Sequence, residues 1–189
     1  LLAADAGPGF VPSKYLADVS GEPLLAQSLR SALSWPVDEL FVVLGSDADA
    51  VEDGVDLSGV SVLVDPSADE GLASPMRAVL DLVGRDSAVT HLVVGLGDQP
   101  GVSPADVAAL IDRAKGSNAE VVVPKYRYAV GFPVVLGVGI WDVFLRLEGG
   151  IAIHDVVAAH ARSVEEVWFD HVAARRILDR SGYALNLKL

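Results

Sequence analysis

Two stretches of this chain carry residue types that could act on a charged ligand. The first is its opening, "LLAADAGPGFVPSK" (residues 1–14), an apolar run followed by a loop with Gly7 and Gly9 and then Lys14. Glycines let backbone N–H groups come close to phosphate oxygens, and a following lysine can neutralise their charge. The second is "LGDQPGVSP" (residues 96–104), in which Asp98 closes a Val/Leu run and leads toward a helix start. A carboxylate in that place suits magnesium, which is commonly held by one or two carboxylates together with substrate phosphates. Each signal has a plainer counterpart: a Gly/Pro loop is also an ordinary turn, a lysine also a solvated charge, and an Asp before Pro100 also a turn organiser.

Other chemistries are excluded by inspection. The chain has no Gly-x-x-x-x-Gly-Lys phosphate loop, no Gly-x-Gly-x-x-Gly fingerprint, no His-Glu-x-x-His and no Gly-x-Ser-x-Gly elbow. His91, His154, His160 and His171 lack the spacing of metal ligands and read as structural or solvated. With no cysteine there is neither a disulfide framework nor a Cys-based zinc site. A formal charge of −12 argues against a nucleic-acid partner, because phosphate-backbone binding needs clustered Lys and Arg. Apolar runs such as "HLVVGL" and "FPVVLGVGIW" fall short of the roughly 20 residues that span a bilayer. No membrane association and a cytoplasmic location are therefore expected. The chain opens on Leu1 inside an apolar run, so a short upstream piece of strand is expected as well.

The elements that must position Lys14 and Asp98 are legible from periodicity. Short Val/Leu-rich runs predict strands at the opening "LLAA" and at 39–45, 60–65, 90–98, 120–124, 132–137 and 164–170. Helical spacing predicts helices at 23–33, 71–83, 104–115, 139–147, 151–161 and 171–180. The clearest is 104–115, with Ser103 to cap it, Pro104 in its first turn, Asp106 three residues past the cap, and a stripe of Val107, Leu110, Ile111 and Ala114. "KYRYAVG" joins two extended runs without room for a helix, which predicts an antiparallel excursion between 124 and 137. The fold class expected is α/β: a Rossmann-like three-layer α/β/α sandwich on a mostly parallel, mixed sheet. Residues 1–189 read as a single domain, without repeat or linker. In such a sheet, ligands bind outside the carboxyl ends of the strands, where both stretches fall.

Taken in order, "LAADAGPGFVPSKYLADVSGEPLL", "EGLASPMRAVL", "LGDQPGVSP", "PKYRYAVGFPVVL" and "VEEVWFDHVAARRIL" resemble the MobA-like nucleotidyltransferase family, in particular its molybdenum cofactor cytidylyltransferase branch. The resemblance implies transfer of CMP or GMP from CTP or GTP to a phosphorylated acceptor such as molybdopterin, with release of pyrophosphate. It implies that Lys14 and Asp98 are catalytic, that Ala3, Ala4, Gly7 and Lys14 hold the nucleotide, and that Asp98 and Asp170 hold Mg2+. Asp170 occupies the place of an Asp in the family's late Asp-Thr-Pro-Glu-Asp segment.

Several positions depart from the family pattern. Asp5 stands where the first loop glycine would be, Gly9 where the loop arginine would be, and Phe10 and Val11 in place of a Met-Gly pair. Pro75 replaces a serine, Phe132 a histidine, Gly150 an aspartate and His154 an arginine. A carboxylate about 5 Å from a phosphate charge, at an effective dielectric near 20, costs roughly 3 kcal/mol, or about a hundredfold in affinity. The departures therefore support a second reading, a catalytically degenerate relative that binds a ligand or a protein. The apolar run 132–141 is expected to offer an edge for a homodimer.

Overall fold

Alternate residues along the strands supply two separate cores, and that alternation builds the molecule. The structure, a computed structural model, describes residues 1–4, 10–68, 73–86, 88–127, 129–148 and 152–177. In chain order the elements are β1 (Leu2–Ala3), a 3-10 turn (Lys14–Leu16), β2 (Asp18–Val19), β3 (Glu22–Pro23), α1 (Leu24–Ala32), β4 (Phe41–Leu44), α2 (Ala48–Gly54) and β5 (Ser61–Val64). They continue with α3 (Ala73–Val83), β6 (His91–Val94), α4 (Pro104–Lys115), β7 (Val121–Tyr126), β8 (Val134–Gly137), α5 (Val138–Leu145), α6 (Ile153–His160) and β9 (Val164–Phe169).

Leu2, Val43, Val121, Val123, Val134 and Leu136 pack on one face with Met76 and Leu80 of α3, Trp141 and Phe144 of α5 and Ile153 of α6. Their neighbours Ala3, Val42 and Leu44 face the other way, onto Leu25 and Leu29 of α1, Val51 of α2 and Val107 and Ile111 of α4. Val122 and Val135 do the same against Leu110 and Ala114 of α4. A period of two in the strands thus yields the three layers.

The sheet runs β5-β4-β1 and β6-β8-β7-β9, and the two parts are joined where Leu2 bridges Leu96 in parallel. The Leu2 N–H donates to Gly95 O at 2.9 Å and the Gly97 N–H to Leu2 O at 2.8 Å, so β1 lies beside the extension of β6. β4 pairs in parallel with β1 and β5, and β9 with β7, while β8 runs antiparallel to both β6 and β7. This is the expected mixed sheet, with the antiparallel excursion at β7–β8.

The chain leaves β1 toward β4 and leaves β6 toward β7, so connections from these two neighbours diverge to opposite edges. A crevice opens at the carboxyl end of such a pair. Helix α4 keeps its expected bounds, with Ser103 Oγ accepting from the Ala105 N–H at 3.2 Å.

Three features differ from the sequence expectations. Helix α2 was not anticipated because its acidic seven residues bury only Ala48 and Val51. Residues 171–177 are not the helix expected over 171–180, and 178–180 lie outside the described residues. The run 132–141 is mostly interior: Val134–Leu136, Ile140 and Trp141 are buried, because β8 sits between two other strands.

Candidate active site

Lys14 and Asp98, 84 residues apart, meet at this carboxyl rim of the sheet: Lys14 Nζ donates to Asp98 Oδ2 at 3.0 Å. Lys14 sits in the 3-10 turn, whose cap is Ser13 Oγ accepting from the Tyr15 N–H. Its Nζ also lies 5.2 Å from the centroid of the Tyr15 ring. The side chains of Lys14 and Asp98 are 1% and 2% exposed. An ion pair so far out of water is sustained only by close geometry and further hydrogen bonds.

Those further bonds come from a residue the sequence did not single out. Arg176 donates from Nε to Asp98 Oδ1 at 3.0 Å and from Nη2 to Asp98 Oδ2 at 2.8 Å. Asp98 therefore accepts from two cations. Arg176 lies within the helix that the sequence predicts over 171–180. A positional signal was available: β9 ends on the same rim as Asp98, so a cation a few residues later can reach it.

The turn that presents Asp98 is fixed from below. Ser28 Oγ, on α1, donates to Gly97 O at 2.8 Å. Gly97 faces Ala3, and a Cβ there would stand 2.7 Å from the Ala3 Cβ. On the other side of β1, a Cβ on Gly45 would stand 2.3 Å from the Ala4 carbonyl oxygen. These two glycines let the strand ends close around β1. Ala3 and Ala4 are buried at the root of the opening loop, with the Ala3 side chain turned into the core. Gly7, with Asp5 and Gly9, lies outside the described residues.

The same rim carries polar atoms without partners. Gln99, 4% exposed, donates through Nε2 to Ala174 O at 2.7 Å, but its Oε1 is buried and unpaired. Asp65, just past β5, leaves Oδ2 unpaired, as Asp47, after β4, leaves both carboxylate oxygens. Buried acceptors in this state are unusual and suit a ligand that brings donors or a cation.

Asp170 is placed apart from this cluster. It follows β9, three strand spacings from β6, which at about 4.8 Å each is roughly 14 Å. Its side chain is 94% exposed, and its Oδ1 accepts from Arg127 Nη2 at 2.7 Å. Lys14 and Asp98 are thus brought together, and Asp170 is held by another cation. Among the described residues no group of three or more His, Asp or Glu side chains gathers as a metal centre.

From Asp170 the chain returns along the rim. The Arg127 N–H donates to His171 O at 3.1 Å, and the Ile177 N–H to Asp98 O at 2.8 Å. His171 Nε2 lies 3.3 Å from Asp106 Oδ1 at the start of α4. Its pKa is raised, first by the Nδ1 contact to Val172 O and then by the negative charge of Asp106. Tyr126 stacks on Phe169 and touches the His171 ring, and burial together with Asp106 pushes its hydroxyl pKa up. Ile177, fully buried, ends the segment between Val19 and Leu24.

A mixed α/β/α sheet thus carries a buried lysine–carboxylate pair at the carboxyl ends of its strands. The chain belongs to the family of the MobA-like NTP transferase domain, whose model matches residues 1–164. It is similar to a 3-deoxy-manno-octulosonate cytidylyltransferase of Methylorubrum populi, with 30% identity over 102 residues that cover 53% of this chain and 40% of that protein. The chain thus spans less than half the length of that curated relative. Among solved structures it resembles the Mycobacterium tuberculosis Rv0371c homologue from Mycobacterium sp. strain JC1, with 28% identity and a TM-score of 0.87 over 100% of this chain and 93% of that one. It also resembles the manganese complex of Rv0371c from Mycobacterium tuberculosis H37Rv, with 28% identity and a TM-score of 0.85 over 100% of this chain and 95% of that one. Among the described residues no helix is long and apolar enough to cross a membrane.

Proposed function

We propose that this chain is a nucleotidyltransferase that moves CMP or GMP from CTP or GTP to a phosphorylated acceptor such as molybdopterin, releasing pyrophosphate. The observation that carries the reading is the buried contact of Lys14 Nζ with Asp98 Oδ2 at 3.0 Å, beside the root of the opening loop. Transfer of this kind needs positioning and charge stabilisation rather than a side-chain nucleophile. An oxygen of the acceptor's phosphate attacks the α-phosphorus in line, and pyrophosphate leaves with the electrons of the broken P–O bond. Lys14 holds phosphate oxygens, and the backbone of Ala3, Ala4 and Gly7 frames them. CTP is the first nucleotide to test, because the curated relative is a cytidylyltransferase.

A divalent ion, Mg2+ or the Mn2+ seen with a neighbour, suits the donors present: a buried carboxylate on Asp98 and the unpaired Oε1 of Gln99 beside it. Hard cations take oxygen ligands of this kind. Asp98 would be the first ligand; Asp170, three strand spacings away and held by Arg127, does not reach the same ion in this arrangement. Such an ion would supply neutralisation of charge on the phosphates.

The test is pyrophosphate release from CTP and from GTP with the acceptor present. Release that is abolished in Asp98→Ala supports the reading, and no release with either nucleotide counts against it. A second reading, a relative that binds without turnover, is favoured by the Arg176 clamp on Asp98 and by Asp5 in the loop. Nucleotide binding without pyrophosphate release would select it.

A further inference from the structure

Arg176 takes both of the oxygens that a divalent cation would need at Asp98. Both Asp98 carboxylate oxygens are engaged by the Arg176 guanidinium, at 3.0 and 2.8 Å, while Lys14 shares Oδ2. With both oxygens taken by the guanidinium, a metal ion would gain Asp98 only when Arg176 leaves. Lys14 is enclosed at the floor of the site, whereas the Arg176 side chain is 39% exposed and lies on an irregular segment.

We propose that residues 171–177 form a strap whose Arg176 occupies Asp98 in the resting protein, so that metal binding at Asp98 and docking of the strap exclude one another. The inference rests on the proposed role of Asp98 as a metal ligand. The strap is held at several points along the described residues. His171 fastens its start to Asp106 on α4, and Gln99 Nε2 holds Ala174 O in its middle. Ile177, between Val19 and Leu24, closes its far end. Only the last three attachments, at Ala174, Arg176 and Ile177, lie on the Asp98–Gln99 turn or next to it. The same release frees Gln99 Nε2, so the turn that would receive the ion changes its hydrogen bonding as a unit.

The experiment is a Mn2+ titration of the full chain, followed by the loss of the free-ion EPR signal, for the native protein, Arg176→Ala, Arg176→Lys and Asp98→Asn. It is paired with hydrogen exchange at the Ile177 amide with and without Mn2+. Arg176→Ala is expected to bind Mn2+ about tenfold or more tightly than the native chain, reflecting the loss of a charge-assisted competitor. Arg176→Lys should fall between the two, and Asp98→Asn should lose the binding. In the native chain, which needs no substitution to fold, Mn2+ should remove protection from the Ile177 amide. Unchanged or weaker binding by Arg176→Ala, with binding still lost in Asp98→Asn, overturns the strap and leaves the function reading intact. Mn2+ binding that leaves Ile177 protected also overturns the strap. No Mn2+ binding by any of these proteins, Arg176→Ala included, overturns both.

Discussion

Asp98 is the residue on which most of the site's electrostatics converges. Removing its carboxylate breaks the buried Lys14–Asp98 pair and both Arg176 contacts together, and deleting one partner of a buried ion pair typically costs about 3–5 kcal/mol. Asp98→Ala should therefore lower stability by that order in urea unfolding, and Asp98→Ala combined with Lys14→Met should cost less than the sum of the two single losses. Additive losses in the double-mutant cycle would show that the pair is not coupled. Lys14 and Asp98 were legible in the sequence because each follows an apolar run at a strand's carboxyl end, where an α/β sheet gathers its ligands. Arg176 was hidden, since Ala-Ala-Arg-Arg has strong helix propensity and only tertiary contact overrides it. The unpaired acceptors on Asp47, Asp65 and Gln99 were hidden too, because being unpaired is a property of the packed rim and not of any motif.

Elements hold these residues through two close approaches and one pH-sensitive fastening. Gly45 faces the Ala4 carbonyl, where an added Cβ would stand 2.3 Å away and meet backbone, which cannot rotate aside. Gly45→Ala should cost about 1–3 kcal/mol of stability and weaken nucleotide binding, because β1 must shift at the root of its loop. Equal affinity in this variant would mean that the loop root does not frame the ligand. The His171–Asp106 contact fastens the strap to α4. Its pKa is raised in the folded chain, so the stability it contributes is complete below the ordinary value of 6.5 and is lost as pH rises through the raised native value. The stability difference between the native chain and His171→Asn should shrink over that window. A difference independent of pH would exclude charge as its source. Among elements, α4 was the most legible, since cap, Pro104 and apolar stripe agree. The two-residue strands β2 and β3 and the short α2 bury too little to leave a pattern.

Over the whole molecule, the sheet order, the two-sided core and the family membership agree. The alternating Val and Leu runs made the three layers and the mixed sheet readable in advance. The strand order was not readable, because it depends on which strands pair across long gaps, as β1 does with the extension of β6. On the proposed function, the rim around Lys14 holds a nucleotide. Thermal unfolding with and without Mg-CTP or Mg-GTP tests it most directly. At a hundred times its dissociation constant a nucleotide adds about 2.7 kcal/mol, which for a chain of this size raises Tm by about 5–10 °C. A shift of that order with at least one of the two, absent in Lys14→Met, is the outcome expected. No shift with either at millimolar concentration, or an equal shift in Lys14→Met, would contradict it.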